Sequence, residues 1–270
     1  MTVSRARNPK HNGRVGVAEK FSFVLVRPRS AGNIGAAARA LKNMGFADLR
    51  LAGPAASNPR MARAMAVHAR DVLDGARRFA TLADAIGDCS VAVGTTCRSG
   101  PYRNDARSIR SEAATLVNLA ASNRIAVIFG TEDRGLTNRE LKLCQRLVTI
   151  PGAAAYRSLN VAQAVMVTAY ELMLAAEPGS GVARASAGFA PAREVDAMLE
   201  RMGEALVSIG YLPADNPDHI MFALRAILGR SGVSARELDI LNGIARQMRW
   251  VAEGGSATLD AKRRAGEKLR

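Results

Sequence analysis

Between residues 21 and 175 the chain alternates short apolar runs with stretches of helical periodicity. The apolar runs predict strands at residues 21–27, 49–52, 89–94, 125–129 and 146–150. The periodic stretches predict helices at residues 34–45, 59–68, 82–86, 109–121, 138–144 and 161–175. Strands that alternate with helices pair in parallel, and the helices cover both faces of the sheet. The expected fold class is therefore α/β with a parallel sheet.

A Gly/Pro/Ser-rich segment separates this region from one that is purely helical. Helices are expected there at residues 193–209, 219–228 and 235–251. The sequence thus predicts a flexible basic arm (1–19), an α/β domain (20–176), a linker (177–192), a helical domain (193–253) and a basic tail (254–270). Three helix starts carry the capping-box pattern, in which a Ser or Thr precedes an acidic residue by three positions: Thr81 with Asp84, Thr137 with Glu140, and Ser234 with Glu237.

The charge of the chain indicates a polyanionic partner. Hydrophobic residues make up 48% of the sequence, which is typical of a folded globular chain. The net charge of +14 favours nucleic acid as the first candidate. A membrane surface is the second, but the chain has no basic amphipathic helix with bulky apolar anchors. A basic surface that serves solubility alone is the third alternative.

Several function classes are disfavoured by what the sequence lacks. No apolar run approaches the length of a membrane span, and the basic N-terminus lacks the apolar core of a secretory signal. The cysteines, Cys89, Cys97 and Cys144, have no metal-clip spacing, so reduced thiols in a cytoplasmic protein are expected. The histidines are too scattered for a zinc site or a histidine-dependent triad.

Polar residues follow the first predicted strand and continue into the first predicted helix. Asn33 is placed to cap this helix, and Gly32 and Gly35 allow close backbone approach. Arg39 falls opposite the apolar stripe of the helix, where it is free to face a ligand. A solvated surface arginine is the plainer alternative for Arg39.

Two further strand-to-helix junctions are polar. One is a charged loop that contains Glu132 and has a glycine at each end, Gly130 and Gly135. The other runs from Ile150 into an apolar helix that is expected to be buried, and it carries Tyr156, Arg157, Ser158 and Asn160. Ser158 or Asn160 can cap that helix, which leaves the other polar group available. Polar groups between a buried strand and a buried helix are costly unless they bind something.

The chain contains neither GxGxxG nor GxxxxGK[ST], so a pyrophosphate cofactor or a nucleoside triphosphate is disfavoured. A cofactor without phosphates, bound through the backbone of the three polar loops, remains possible.

Taken together, three segments carry a specific resemblance: NIGAAARALKNMGF, then IFGTEDRGL, then IPGAAAYRSLNVAQAV. In order and spacing they resemble the signature motifs of the SpoU/TrmH-type RNA 2′-O-ribose methyltransferases, members of the SPOUT superfamily. The resemblance covers about residues 21–175. It implies a SPOUT-type parallel sheet with a C-terminal deep trefoil knot, here with a small helical extension. It also implies a homodimer and S-adenosylmethionine held in the knot.

The resemblance also implies site residues. The catalytic set transferred from the motifs is Arg39, Asn33, Glu132, Ser158 and Asn160. The matching cofactor positions are Thr95, Thr96, Cys97, Gly130, Ile150, Ser158, Leu159 and Asn160. The family often assigns the base role to the arginine of the first motif. A guanidinium with a pKa above about 12 stays protonated, so Arg39 could instead bind a phosphate and stabilise the developing oxyanion.

Segments 66–98 and 224–250 resemble the branch that methylates a pyrimidine ribose in the tRNA anticodon loop, although His68 stands where that branch has glycine. A tRNA partner is therefore expected, with no DNA or membrane partner. Phosphate contacts are expected from basic residues in the arm, near the cofactor loop and in the tail: Arg5, Arg7, Lys10, Arg14, Arg98, Arg103, Lys262, Arg263 and Arg264. Ribosomal RNA as the substrate, or a catalytically silent RNA-binding factor, are the alternatives.

Overall fold

One parallel sheet organises the N-terminal part of the chain. In the residues described by the computed structural model, seven strands lie in the order β3-β2-β1-β6-β4-β7-β5, and every pairing is parallel. The strands are β1 (Phe21–Val26), β2 (Asp48–Ala52), β3 (Arg77–Phe79), β4 (Val91–Thr95), β5 (Arg107–Ser108), β6 (Ile125–Phe129) and β7 (Arg146–Thr149). The predicted α/β class is confirmed.

The structure describes residues 16–98, 100, 103, 105–153, 155, 157–177, 188–213 and 217–255. The chain divides into two compact units, Met1–Phe189 and Ala190–Arg270. Residues 1–15 of the expected basic arm, most of the basic tail, Tyr156 and the middle of the expected linker lie outside the described residues. Residues 16–18 of the arm are helical, and Val17 is buried in the core of the first unit.

Helices of the first unit follow the strands as the sequence predicts, with one addition. They are α1 (Ala31–Asn43), α2 (Pro59–Ala66), α3 (Arg70–Asp74), α4 (Leu82–Ile86), α5 (Ile109–Ala120), α6 (Asn138–Leu141) and α7 (Val161–Ala175). The short helix α3 was not predicted, because five residues show no clear helical period and it lacks the capping box that marks the equally short α4. The strands β3 and β5 were also missed, since their sequences RRF and RS contain no apolar run.

The core lies on both faces of the sheet. Every residue of β1 and of β6 is buried, as continuous apolar runs in a parallel sheet require. On one face β1 and β6 pack with α1, α5 and α7, and on the other they pack with α4 and α6. The helices α1 and α7 therefore lie on the same side of the sheet, and they contact each other.

Helix caps explain most of the boundaries. The predicted capping boxes at Thr81, Thr137 and Ser234 are all formed. The prediction that Asn33 caps α1 is wrong, because the cap is Ser30, whose hydroxyl accepts from the Asn33 backbone N–H at 3.4 Å. The helix thus begins at Ala31, and the Asn33 side chain is free for another contact.

An ionic cluster at the amino ends of the strands was not predicted. Arg50 is fully buried and donates to the carboxylate of Asp48 at 2.9 Å and to that of Asp88 at 3.0 Å. Partial burial would raise the pKa of the Asp88 carboxyl, but hydrogen bonding with Arg50 and the charges of Arg50 and Arg124 lower it to about 2. Such pairing compensates the cost of burying the guanidinium.

The second unit is helical, as the sequence predicts. Its helices are α8 (Ala192–Ser208), α9 (Asp218–Ser231) and α10 (Ala235–Trp250). A separate core forms between them around Met198, Met202, Leu238 and Ala245. Among the described residues no helix is both long and apolar enough to cross a membrane.

Candidate functional site

Four loops meet at the carboxyl ends of the strands, because the strands are parallel and share that edge. They follow β1, β4, β6 and β7, and those after β4, β6 and β7 enclose a cavity of about 310 Å³. Its walls come from the loop after β4 (Thr95, Thr96, Cys97, Arg98, Arg103), the end of β6 and its loop (Phe129, Gly130 to Leu136), and the last loop with the start of α7 (Ile150, Arg157, Ser158, Leu159, Val161, Ala164). A pocket of this size at this edge is the usual ligand site of an α/β fold.

Side-chain hydrogen bonds connect three of the polar segments that the sequence singled out. The amide nitrogen of Asn33 donates to the Glu132 carboxylate at 2.9 Å. The amide oxygen of Asn33 accepts from the Asn160 side chain at 3.0 Å. Asn160 caps α7, since its own amide oxygen accepts from the Ala162 N–H at 2.9 Å. We call Glu132, Asn33 and Asn160 the amide relay. It joins the loop after β6, the first turn of α1 and the start of α7.

Glu132 is the charged end of the relay. Burial would raise its pKa, but the hydrogen bonds from the Asn33 side chain and the Arg29 backbone N–H outweigh burial and hold the pKa below its ordinary value. The Arg29 N–H donates to both carboxylate oxygens, at 3.0 and 3.2 Å. Glu132 is therefore ionised near neutral pH and acts as an acceptor. An ionised acceptor fixes the Asn33 amide with its nitrogen toward Glu132.

A second link joins the end of β1 to helix α6, which follows the loop after β6. Arg27 has a positive φ of 45° at the end of β1, which is uncommon outside glycine. In this conformation its guanidinium pairs with Glu140, a nearly buried residue that also completes the cap of α6. Sequence reasoning missed this pair, since Glu140 was assigned only to the capping box of α6 and nothing in the sequence relates it to Arg27.

The loop after β6 is a tight turn that only glycine permits at its first position. Thr131 and Gly135 form an antiparallel bridge, and Gly135 has a φ of +66°. A Cβ on Gly130 would lie 2.0 Å from the carbonyl carbon of Gly135. The two glycines that the sequence marked at the ends of the charged loop are thus required by its shape.

The predicted cofactor positions fall largely together. All of them line the cavity except Asn160, which lies in the relay. Thr95 is held by its hydroxyl, which donates to the Ile128 carbonyl at 3.0 Å, and the Thr96 N–H donates to the Val148 carbonyl at 2.9 Å. The cavity also has apolar walls from Phe129, Ile150 and others. Apolar walls with backbone polar groups suit a flat heterocycle carried on a polar chain, as in S-adenosylmethionine.

Ser158 and Arg39 are placed differently from the relay. Ser158 lines the cavity, whereas Arg39 does not and is exposed on the outer side of α1. The positively charged rim of the cavity is formed instead by Arg98, Arg103, Arg134 and Arg157. Arg98 and Arg103 were predicted as phosphate contacts, and they donate to the carbonyls of Asp133 and Leu136 respectively. The position of Arg134 at the rim was missed.

Two expectations about burial are wrong. The described residues from Pro151 to Asn160 are exposed, so the polar groups there carry no burial cost in this chain. Helix α7 is not buried all round either, because Tyr170 is 44% exposed and Leu174 is 37% exposed. A helix with uniformly apolar composition gives no periodic signal from which its exposed side could be read.

Comparison with known families covers both units. Residues 20–170 match the SpoU rRNA Methylase family, and residues 193–260 match the C-terminal domain of the tRNA methyltransferase TrmJ.

Two curated relatives are similar over nearly their whole length. The tRNA (cytidine/uridine/adenosine-2′-O-)-methyltransferase TrmJ of Pseudomonas aeruginosa (strain UCBPP-PA14) is 37% identical over 247 residues, which cover 87% of this chain and 96% of that protein. The tRNA (cytidine/uridine-2′-O-)-methyltransferase TrmJ of Escherichia coli (strain K12) is 32% identical and covers 88% of this chain and 99% of its own. The crystal structure of TrmJ from Z. mobilis ZM4 superposes with a TM-score of 0.73 at 32% identity, covering 84% of this chain and 98% of that one.

Proposed function

Because the chain belongs to the SpoU rRNA methylase family, we propose that it transfers a methyl group from S-adenosylmethionine to the 2′-hydroxyl of a tRNA ribose. It is an S-adenosylmethionine-dependent RNA 2′-O-methyltransferase. The match of the second unit to the TrmJ C-terminal domain favours tRNA over ribosomal RNA as the substrate. Cytidine and uridine are the nucleosides that the names of both relatives share, while the name of the Pseudomonas relative adds adenosine, and we propose a cytidine or uridine ribose as the target. Its site of action is the cytoplasm, where tRNA is modified.

One observation carries the proposal most directly: the amide relay joins the three motif segments beside a cavity of suitable size. Loops that are cross-linked in this way hold the cavity walls at fixed positions before a ligand arrives. Such preorganisation lowers the entropic cost of bringing a methyl donor and an acceptor together. A protein that bound only RNA would not require a preorganised cavity for a methyl donor. The cavity therefore disfavours the silent RNA-binding alternative.

S-adenosylmethionine supplies an activated methyl group on a good leaving group, so the demanding part of the reaction is the hydroxyl. In this proposal Thr95, Thr96, Cys97, Gly130, Ile150, Ser158 and Leu159 hold the cofactor. The relay fixes the loop of Ser158 and the first turn of α1. The arginines at the rim bind RNA phosphates and orient the ribose over the cavity.

Arg39 would act from a second copy of the chain. It is exposed on α1, next to α7, whose Tyr170 and Leu174 leave an apolar surface in solvent. An interface across these two helices would cover that surface and bring Arg39 of each copy to the site of the other. There its permanent charge would bind a phosphate or the developing oxyanion. We therefore propose a homodimer, which a sedimentation mass of one chain would contradict.

The finer features of the fold are proposed on the same basis. The returning loop 157–160 lies beside Gly130 and contacts α1, which is compatible with a C-terminal trefoil knot. The proposed domains are an α/β catalytic domain at 20–176 and a helical domain at 193–253, supported by the family matches and by the division after Phe189. The end of the proposed linker is ordered, since the Phe189 N–H donates to Asn123 and Ala190 is buried.

Arg39→Ala tests this assignment. The rate of methyl transfer to tRNA should fall at least about 100-fold in the variant, because the cation that stabilises the negative charge of the transition state is removed. Its affinity for S-adenosylmethionine should stay within about twofold, since Arg39 does not line the cavity. Turnover with labelled cofactor measures the first quantity, and titration calorimetry measures the second. An equal loss of both would show that Arg39 belongs to the cofactor site.

A further inference from the structure

The second unit contains a groove of about 520 Å³ between α8 and α10. Asn242, Ala245, Arg246, Arg249, Trp250 and Glu253 line it from one side, at the spacing of a single helix face. Arg201 of α8 lines the opposite side. Ala245 is buried and small, which leaves room above it for a ligand.

The charge of the groove is positive, because three arginines and one glutamate line it. The Nε and Nη2 of Arg201 both donate to the Asn242 amide oxygen, at 3.0 and 2.8 Å, so this guanidinium is held in place without being neutralised. Arg246 is exposed and has no hydrogen bond or ion pair among residues 188–213 and 217–255. Arg249 has only long ion pairs, at 3.4 Å to Glu204 and 3.9 Å to Glu253. Arg201, which has no acidic partner among the described residues, and Arg246 are thus available to an anion.

An aromatic surface lies beside these charges. Trp250 lines the groove and is 36% exposed. The backbone of Gly255 packs against part of its indole, where a Cβ would come within 2.2 Å of the ring. A fixed indole next to several guanidinium groups matches the way proteins bind single-stranded RNA, with a base stacked on the ring and its phosphate held by arginine.

We propose that this groove binds one unpaired nucleotide of the RNA substrate, with its base stacked on Trp250 and its phosphate between Arg201 and Arg246. The inference rests on the proposed tRNA substrate and adds a contact point in the second unit. Because Arg246 has no partner within the part of the chain that the structure describes, it can bind the phosphate without first breaking an ion pair there. Binding here would anchor the tRNA without taking part in methyl transfer.

The single tryptophan of the sequence makes the test direct. The full-length protein is titrated with a tRNA transcript, a short oligouridylate, AMP and inorganic phosphate while Trp250 emission is followed. Stacking should quench the emission with the tRNA and the oligouridylate, and inorganic phosphate alone should not. Quenching by AMP but not by oligouridylate would assign the groove to free nucleotides and overturn the RNA proposal. An unchanged emission at saturating tRNA would overturn it altogether.

Variants give an independent readout by filter binding. Arg246→Ala should weaken tRNA binding and reduce the slope of log affinity against log salt by about 0.7, the value for one phosphate contact to a single strand. Trp250→Ala should weaken binding by about 10-fold. Arg236→Ala, an exposed arginine of α10 outside the groove, is the matched control and should change binding little.

Methylation kinetics separate this inference from the proposed function. Arg246→Ala should raise the KM for tRNA and leave kcat unchanged. If wild-type protein methylates tRNA and Arg246→Ala has the wild-type KM and salt slope, the groove proposal is wrong and the proposed function stands. If wild-type protein methylates no tRNA while binding S-adenosylmethionine, the proposed function is wrong.

Discussion

At the scale of single residues, the orientation of one amide depends on one ionised carboxylate. Glu132 receives hydrogen bonds from Asn33 and from the backbone of Arg29, and its lowered pKa keeps it an acceptor. Asn33 must then present its oxygen to Asn160. The hydrogen bonds of Asn33, Glu132 and Asn160 therefore fix three distant segments of the chain relative to one another. Glu132 lines the cavity, so the same bonds fix one of its walls.

The three members of the relay were named as site candidates from short motifs, but the hydrogen bonds between them and the long-range charge pairs were not predicted. Asn33, Glu132 and Asn160 each stand in a recognisable segment at a strand-to-helix junction. Arg27 and Glu140 are 113 residues apart, and no sequence pattern relates an arginine at a strand end to a glutamate that caps a distant helix. The burial of Arg50 was missed because only one of its two carboxylate partners, Asp48, is near it in the sequence. The other, Asp88, precedes a different strand of the sheet.

The pKa of Asp88 makes the stability of the protein depend on pH. Its folded value of about 2 lies below the ordinary 3.8, so its contribution is fully present above about pH 4 and is lost as the pH falls through about 2. We expect Asp88→Asn to cost about 1–3 kcal/mol of unfolding free energy at pH 7. The difference in unfolding free energy between the wild type and Asp88→Asn should become smaller as the pH falls from about 4 toward about 2.

Urea unfolding at a series of pH values measures that gap. Asp74→Asn is the matched control, because Asp74 is exposed and pairs with Arg63 only at 3.7 Å. It should change the unfolding free energy by less than about 0.5 kcal/mol at every pH. A gap for Asp88→Asn that stays constant down to pH 2.5 would show that the Arg50 cluster does not set the pKa.

At the scale of elements, the crossing of α1 and α2 is set by the absence of a side chain. A Cβ on Gly35 would lie 2.0 Å from the carbonyl oxygen of Ala62. The glycine lets α2 approach α1, whose first turn carries Asn33. The sequence indicated close approach at Gly35 but could not say what approached, because α2 arrives from a separate segment of the chain.

Gly35→Ala should therefore destabilise the first unit by about 1–3 kcal/mol, despite the better helix propensity of alanine. Gly243→Ala is the matched control, since Gly243 lies inside α10 with open space at the Cβ position. It should stabilise its helix by about 0.5–1 kcal/mol. Hydrogen exchange of peptides from α1 and α10 measures both effects, and wild-type protection of α1 in Gly35→Ala would refute the packing argument.

Element boundaries show where sequence patterns reach their limit. The strands β1 and β6 were predictable because each is a continuous buried apolar run. The edge strand β3 was not, since two of its three residues are exposed arginines, one of which, Arg77, pairs with Asp48 of β2 at 2.9 Å. Residues of an edge strand need not be apolar, so no pattern marks them.

At the scale of the whole molecule, the two units divide the work that the proposed function requires. The first unit holds the cavity and the amide relay, and the second holds the basic groove with Trp250. The net charge of +14 suits both proposed tasks, since each requires cationic groups that bind phosphates. Composition predicted a nucleic-acid partner, which agrees with the tRNA substrates named for the relatives. The exposed faces of α7 could be found only in the structure, because a uniformly apolar helix has no sequence pattern that marks its exposed side.

The most direct test of the proposed function is nucleoside mass spectrometry of unmodified tRNA after incubation with the protein and S-adenosylmethionine carrying a deuterated methyl group. We predict that the label appears on the ribose of a pyrimidine nucleoside from the anticodon loop and is absent from every base. Label on a base, or none in tRNA while ribosomal RNA is labelled, would contradict the proposed function.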